Sequence, residues 1–105
     1  MMITVNVLYR HSDSVKFNMN YYLDKHMPLV SRLLGAALKG ALVQQGIAGG
    51  APGSPPEFAV ITVLSFESMA AFQAAFPPHA PEVMADIANF TNEQPSIQFS
   101  DVRLG

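Results

Sequence analysis

"EFAVITVLSF", residues 57–66, is the stretch whose reading decides the fold. Phe58, Val60, Thr62, Leu64 and Phe66 project to one side of an extended chain, and Ala59, Ile61, Val63 and Ser65 to the other. β-Branched and aromatic side chains fill both sides, so this is a strand with two faces to bury. Just before it, "AGGAPGSPPE" (48–57) has the Gly, Pro and Ser content of a turn, and "LKGALVQQGI" (38–47) reads as a weaker strand. The two strands form a hairpin, and the loop between them is not a domain linker.

On the other side of the strand, Ser68 is an N-cap for a helical region running to Phe76. "PPHAP" interrupts that region, and Pro81 starts the next helix where a missing N–H costs little. Val83, Ile87 and Phe90 form the apolar stripe of this helix. The turn "TNEQP" ends at Pro95, and "SIQFSDVRL" is a final strand with a bulge expected near Asp101.

At the front, "MITVNVLY" alternates, with Ile3, Val5, Val7 and Tyr9 on one face and Met2, Thr4, Asn6 and Leu8 on the other. After the polar connection "RHSDSVK", Asn18 caps a helix and Phe17, just before the cap, packs on Tyr22 as a hydrophobic staple. Met19, Tyr22, Leu23, His26, Val30 and Leu33 recur at spacings of three and four and make its inner stripe. Pro28 lacks an N–H for the Asp24 carbonyl and crowds it, which predicts a kink or restart beside His26; Gly35 supplies the C-cap.

The order β-α-β-β-α-β, with short connections and right-handed crossovers, predicts an α+β ferredoxin-like fold: an antiparallel sheet with helices on one face. The other face is bare. Charged residues make up 13% of the chain against a usual figure of about 25%, and 50% is hydrophobic, too little charge to cover an ordinary monomer. The bare sheet face is therefore expected to pack against the same face of a second copy in a two-fold homodimer.

At 105 residues the chain reads as one domain, 1–105, with one site. A net charge of −2, with six Lys and Arg and no basic run, argues against nucleic acid as a partner. The absence of cysteine removes disulfides, zinc fingers, iron–sulfur ligation and thiolate chemistry. No stretch approaches the roughly 20 apolar residues of a membrane span, and Met1 leads directly into strand pattern, so a cytoplasmic protein without membrane contact is expected. Nucleophile-elbow, zinc-helix, phosphate-loop and dinucleotide patterns are missing, and three scattered histidines make no metal site, so the expectation is no metal and no cofactor.

His26 carries the main question about chemistry. With Tyr22 one turn away and the Asp24 carbonyl freed by Pro28, it is placed to move a proton; it could equally be a core histidine that satisfies that carbonyl. Asp86, beside Val83, Ile87 and Phe90 in helical projection, could orient His26 or only tether its own helix or turn. Tyr9 and Arg10, at the end of the first strand, would meet a ligand lying between helices and sheet, with Met19 and Phe90 as apolar lining. Tyr21, off the stripe, is expected to face outward, and Thr91 and Asn92 to serve the local turn.

"FNMNYYLDKHMPLV" (17–30) resembles the Phe-x-x-x-Tyr-Tyr-x-x-x-His-x-Pro-Leu pattern of the EthD-like proteins, named after a protein needed for bacterial degradation of ethyl tert-butyl ether. "DIANFTNEQPSIQFSDV" (86–102) is similar to that family's second block. Asn18 departs from the acidic residue expected there, though it caps a helix equally well. The resemblance implies a dimeric α+β barrel and a role in small-molecule catabolism of oxidoreductase type. The expectation is a cofactor-independent pocket enzyme, whether oxygenase, isomerase or decarboxylase, acting on a small hydrophobic molecule through His26, Tyr22 and Asp86. The alternative is a non-catalytic dimeric module that binds such a molecule.

Overall fold

The computed structural model describes residues 2–105. Its strands are β1 (Ile3–Arg10), β2 (Gly40–Gln45), β3 (Phe58–Phe66) and β4 (Ser96–Asp101), in the sheet order β2-β3-β1-β4 with every neighbouring pair antiparallel. The first helical run comprises α1 (Met19–Tyr21), a π-helical turn (Tyr22–His26) and α2 (Met27–Leu34). The second comprises α3 (Met69–Ala75) and α4 (Ala80–Asp86), joined by a 3₁₀ turn at Pro77–His79 and followed by another at Ile87–Asn89. This is the α+β ferredoxin-like arrangement that the element order predicts.

β3 lies between β1 and β2, and both of its faces are apolar. Val60, Thr62, Leu64 and Phe66 are buried under the helices. On the opposite face Ile61 and Val63 are half-buried, and Leu42 beside them is 55% exposed. The smallest extent of the molecule, 19 Å, accommodates two layers and leaves that face without cover from its own chain.

The expected bulge near Asp101 is absent. Asp101 pairs in register with Ile3, and the Val102 N–H continues the ladder to the Met2 carbonyl at 3.0 Å, leaving no place for an extra residue. The irregularity falls instead between Tyr9 and Arg10: Tyr9 pairs with Val60 but Arg10 with Phe58, so Ala59 is skipped.

In the first helical run, Asn18 Oδ1 accepts from the Tyr21 N–H at 3.0 Å, and the Phe17 ring packs edge-on against Tyr22 at 5.0 Å. Pro28 does not kink the helix simply. The Met27 N–H donates to the Tyr22 carbonyl, five residues back, and the widened turn makes room for the proline ring in the first turn of α2. That turn shifts the phase of the helix. The buried stripe is Tyr22, His26, Val30 and Leu34, while Leu23, expected inside, is 48% exposed.

The two helical runs are fastened by the segments flanking them. The Asn18 N–H donates to the Phe90 carbonyl at 2.7 Å, and Phe17 and Thr91 form an isolated bridge. The Thr91 hydroxyl donates to the Lys16 carbonyl at 2.6 Å, and Asn92 both accepts from the Lys16 N–H at 2.8 Å and donates to the Ser14 carbonyl at 3.0 Å. Thr91 also accepts from the Glu93 N–H within its own turn, but the longer-range bonds decide the architecture: they set the start of one helical run against the end of the other.

Between helices and sheet the core has two parts. One is wholly apolar, with Ile3, Val5, Val30, Leu34, Leu64, Phe66 and Val83 flanked by Phe72 and Phe76. The other is aromatic, with Tyr9, Tyr22, Val60, Ile87 and Phe90 flanked by Phe17, Met19 and Tyr21.

Candidate functional site

A cavity of about 390 Å³ lies where these two parts meet, with Val5, Val30, Leu64, Phe72, Phe76 and Val83 on one side and Tyr9, Tyr22, His26, Thr62 and Ile87 on the other. Met84, Ile97 and Phe99 also line it and are 47%, 47% and 43% exposed, so they form its rim. The lining is almost entirely hydrocarbon. Its polar members are one imidazole and three hydroxyls, with no Lys or Arg.

His26 reaches the cavity because the π turn puts it on the same face as Tyr22. It is 4% exposed, with the Tyr22 ring stacked at 5.3 Å and the Phe90 ring tilted against it at 4.6 Å. With both flanks covered, only the ring edges are free to bond. Nδ1 lies 2.8 Å from Asp86 Oδ2, at the end of α4. It is the Asp86 carboxylate, then, and not the Asp24 carbonyl, that partners the imidazole.

Asp86 is itself well held. Oδ1 accepts from the Tyr21 hydroxyl at 2.7 Å and from Asn89 Nδ2 at 2.9 Å, while Oδ2 faces His26. Burial alone would raise this carboxyl, but donation from Tyr21, Asn89 and His26 outweighs it and holds the group below the usual carboxylate range. An ionised carboxylate only accepts, so Nδ1 carries the imidazole proton. In the neutral ring Nε2 is then left as a bare lone pair, without a hydrogen-bond partner among the described residues.

Tyr21 corrects the outward placement expected for it. Its ring stacks on Phe90 at 6.4 Å and its hydroxyl turns to Asp86, whose acceptance of that proton, helped by burial, raises the phenol. A residue 65 positions away in sequence supplies the partner, and periodicity contains no signal for such a bond. Asn89 was likewise missed, although its position three residues after Asp86 in a helical turn is a readable cue.

Tyr22 does not bond to His26; its hydroxyl lies 2.6 Å from Thr62 Oγ1, on β3. Thr62, read at first only as part of the strand's inner face, is 1% exposed and lines the cavity. Burial raises both Tyr9 and Tyr22, so the two phenols stay protonated.

Of the expected ligand contacts, Tyr9 lines the cavity, whereas Arg10, Met19 and Phe90 do not. Strand alternation sends Tyr9 inward and Arg10 outward, where its guanidinium lies 5.2 Å from the centroid of the Phe58 ring. Met19, at the start of α1, is spent packing against the aromatic cluster. Phe90 backs His26 and Tyr22 from behind, at 4.6 Å and 4.9 Å.

No group of His, Asp and Glu among the described residues could hold a metal ion, and no helix among them is long and apolar enough to cross a membrane. Comparison with known proteins places these features in a wider setting. The chain is 32% identical over 102 residues to an uncharacterized 11.0 kDa protein in the thcB-thcC intergenic region of Rhodococcus erythropolis, covering 95% of this chain and 94% of that one. An EthD-like protein from Ralstonia eutropha JMP134 has a similar crystal structure, with a TM-score of 0.93, 40% identity and coverage of 98% of this chain and 93% of that one. A second, from Bacillus halodurans C-125 and described as an ethyl tert-butyl ether D (EthD) family protein, has a TM-score of 0.73 at 17% identity, covering 97% and 99%. The EthD domain family model matches residues 14–94, the span that holds the cap, the π turn, His26, Thr62 and Asp86; the chain belongs to the EthD family.

Proposed function

We propose that this EthD protein is a cofactor-independent enzyme of small-molecule metabolism, in which His26 abstracts a proton from a small hydrophobic substrate held in the cavity. One observation carries the reading: Nδ1 is tied to a carboxylate while Nε2 is left free on a ring that lines an apolar cavity. Nε2 takes the proton, and the imidazolium that forms is stabilised by Asp86, which Tyr21 and Asn89 hold in place. The electron pair stays on the substrate as an enolate or phenolate. Returning the proton to another carbon gives an isomerase; adding the carbanion to O₂, with the hydroperoxide then losing water to leave a carbonyl, gives a monooxygenase. Tyr22 orients the imidazole through ring stacking.

The protein works as a homodimer through the open sheet face. Leu42, Ile61 and Val63 on β2 and β3 supply its apolar patch, and the low charge of the chain supports cover by a second copy. Light scattering should return twice the chain mass, and Val63→Lys should halve it.

The catalytic reading is tested by deuterium exchange. 2-Tetralone, a compact ketone with acidic α-hydrogens, is incubated with the protein in D₂O and followed by NMR. The expected result is exchange above the buffer rate, lowered about 10²- to 10⁴-fold in His26→Ala. Bound 2-tetralone that exchanges no faster than in buffer would sink this reading and leave a binding module in its place.

A further inference from the structure

The cavity holds a second polar group that the base does not use. The Tyr22 and Thr62 hydroxyls, 2.6 Å apart, belong to residues 2% and 1% exposed, and both residues line the cavity. Tyr9 stands beside them at 6.1 Å between ring centroids and adds a third hydroxyl to the same wall. Thr62 sits mid-strand between Val60 and Leu64, where an apolar residue of the same shape would satisfy the packing. With the Tyr9 hydroxyl also bonding to Tyr22, the three hydroxyls carry three protons and use two, so the cluster keeps one donor to spare. The cavity wall holds no Lys or Arg to match an anion, and the one carboxylate nearby lies behind His26.

We propose that the Tyr22–Thr62 hydroxyl pair is an oxygen-anchoring subsite, which selects a neutral carbonyl compound over a hydrocarbon or a carboxylate of the same shape; this rests on the reading of the cavity as a ligand site. A carbonyl oxygen accepts the spare proton. A hydrocarbon leaves it unpaired, and a carboxylate must shed its water against a wall without Lys or Arg, near Asp86. The anchor also suits proton abstraction. When His26 Nε2 takes the α-hydrogen, the C–H electron pair becomes the C=C bond of an enolate, and the charge arrives on the oxygen to which the hydroxyl already donates. Reprotonation at carbon restores the ketone, so the step balances without any further reactant.

The test measures affinity by ligand-observed NMR for three probes on one ring frame: 2-tetralone, tetralin, and tetralin-2-carboxylate. Wild-type protein should bind the ketone about five- to tenfold more tightly than tetralin. It should bind the carboxylate about a hundredfold or more below the ketone. The double variant Tyr22→Phe/Thr62→Val removes both partners of one hydrogen bond and keeps the side-chain shapes, so it should fold, as a thermal melt will verify. In it the ketone's advantage over tetralin should fall to within about twofold, while Thr62→Ser, which keeps the hydroxyl, retains it. A full advantage persisting in the double variant, or a carboxylate that binds wild-type protein as tightly as the ketone, overturns the anchor and leaves the cavity's role intact. If none of the probes binds, the ligand-site reading and the anchor fall together.

Discussion

Two regions of the same layer, packed side by side under one sheet, are built on different principles. Around Phe66, which is fully buried, the contacts are those of hydrocarbon: Phe72 edge-on at 5.2 Å, with Val30, Leu34 and Leu64 alongside. Around Tyr22 the same layer buries Tyr9, Thr62 and His26, and it brings in the Asp86 carboxylate from the other helical run. Packing alone accounts for the first region. It does not account for the second, since a buried polar network is no more stabilising than well-packed hydrocarbon and costs more when any partner is lost. The contrast teaches that the two ends are held by different forces, and the cavity opens where they meet.

The sharpest way to break this contrast is to damage the apolar end. Phe66→Ala should cost about 3–5 kcal/mol of stability, because the space it leaves is walled by packed rings and strand. Denaturant unfolding checks the loss. In protein that remains folded, the His26–Asp86 pair should keep its tautomer. A change of tautomer at that distance would mean that the two regions are one.

Tyr21→Phe probes the polar end more gently. Removing the hydroxyl takes one of the donors from Asp86 and loosens the carboxylate that orients His26. The rate of 2-tetralone exchange at saturation should fall about three- to tenfold with affinity unchanged. Equal losses in rate and affinity would instead make Tyr21 part of the ligand wall.

A smaller effect concerns pH. The carboxyl of Asp86 is held below its ordinary value of 3.8 in the folded protein, so it contributes stability above the unfolded value and loses it as pH falls through the folded one. The stability gap between wild type and Asp86→Asn should therefore narrow as pH falls from about 5 toward acid. Urea midpoints collected across that range would reveal it; a constant gap would mean that the carboxylate is not singled out by the fold.

The elements of the fold were legible in the sequence and the polar network only partly so, for a physical reason. Alternation in 58–66, the Asn18 cap, the Phe17 staple and the Gly35 stop are short-range patterns, each set by neighbours in the chain. Gly35 stands at φ 57°, a conformation glycine adopts freely. The position of Pro28 located the disturbance beside His26, but not its form, which depends on the Met27 N–H finding the Tyr22 carbonyl. That choice put Leu23 outside and completed the stripe with Leu34. Tyr21, off the stripe by count, turns in because Asp86 accepts its proton, and Arg10 turns out because Tyr9 before it turns in. Thr62 looked like one more β-branched strand residue; only the fold brings the Tyr22 hydroxyl to it.

Everything at the polar end turns on Asp86 fixing the His26 proton on Nδ1 and leaving Nε2 free toward the cavity. Long-range ¹H–¹⁵N correlation of the imidazole tests it directly, read in wild type and in Asp86→Asn with His26 neutral. A protonated Nδ1 and an unprotonated Nε2 are expected in wild type, with the preference lost or reversed in the variant. A proton on Nε2 in the neutral wild-type ring would contradict it.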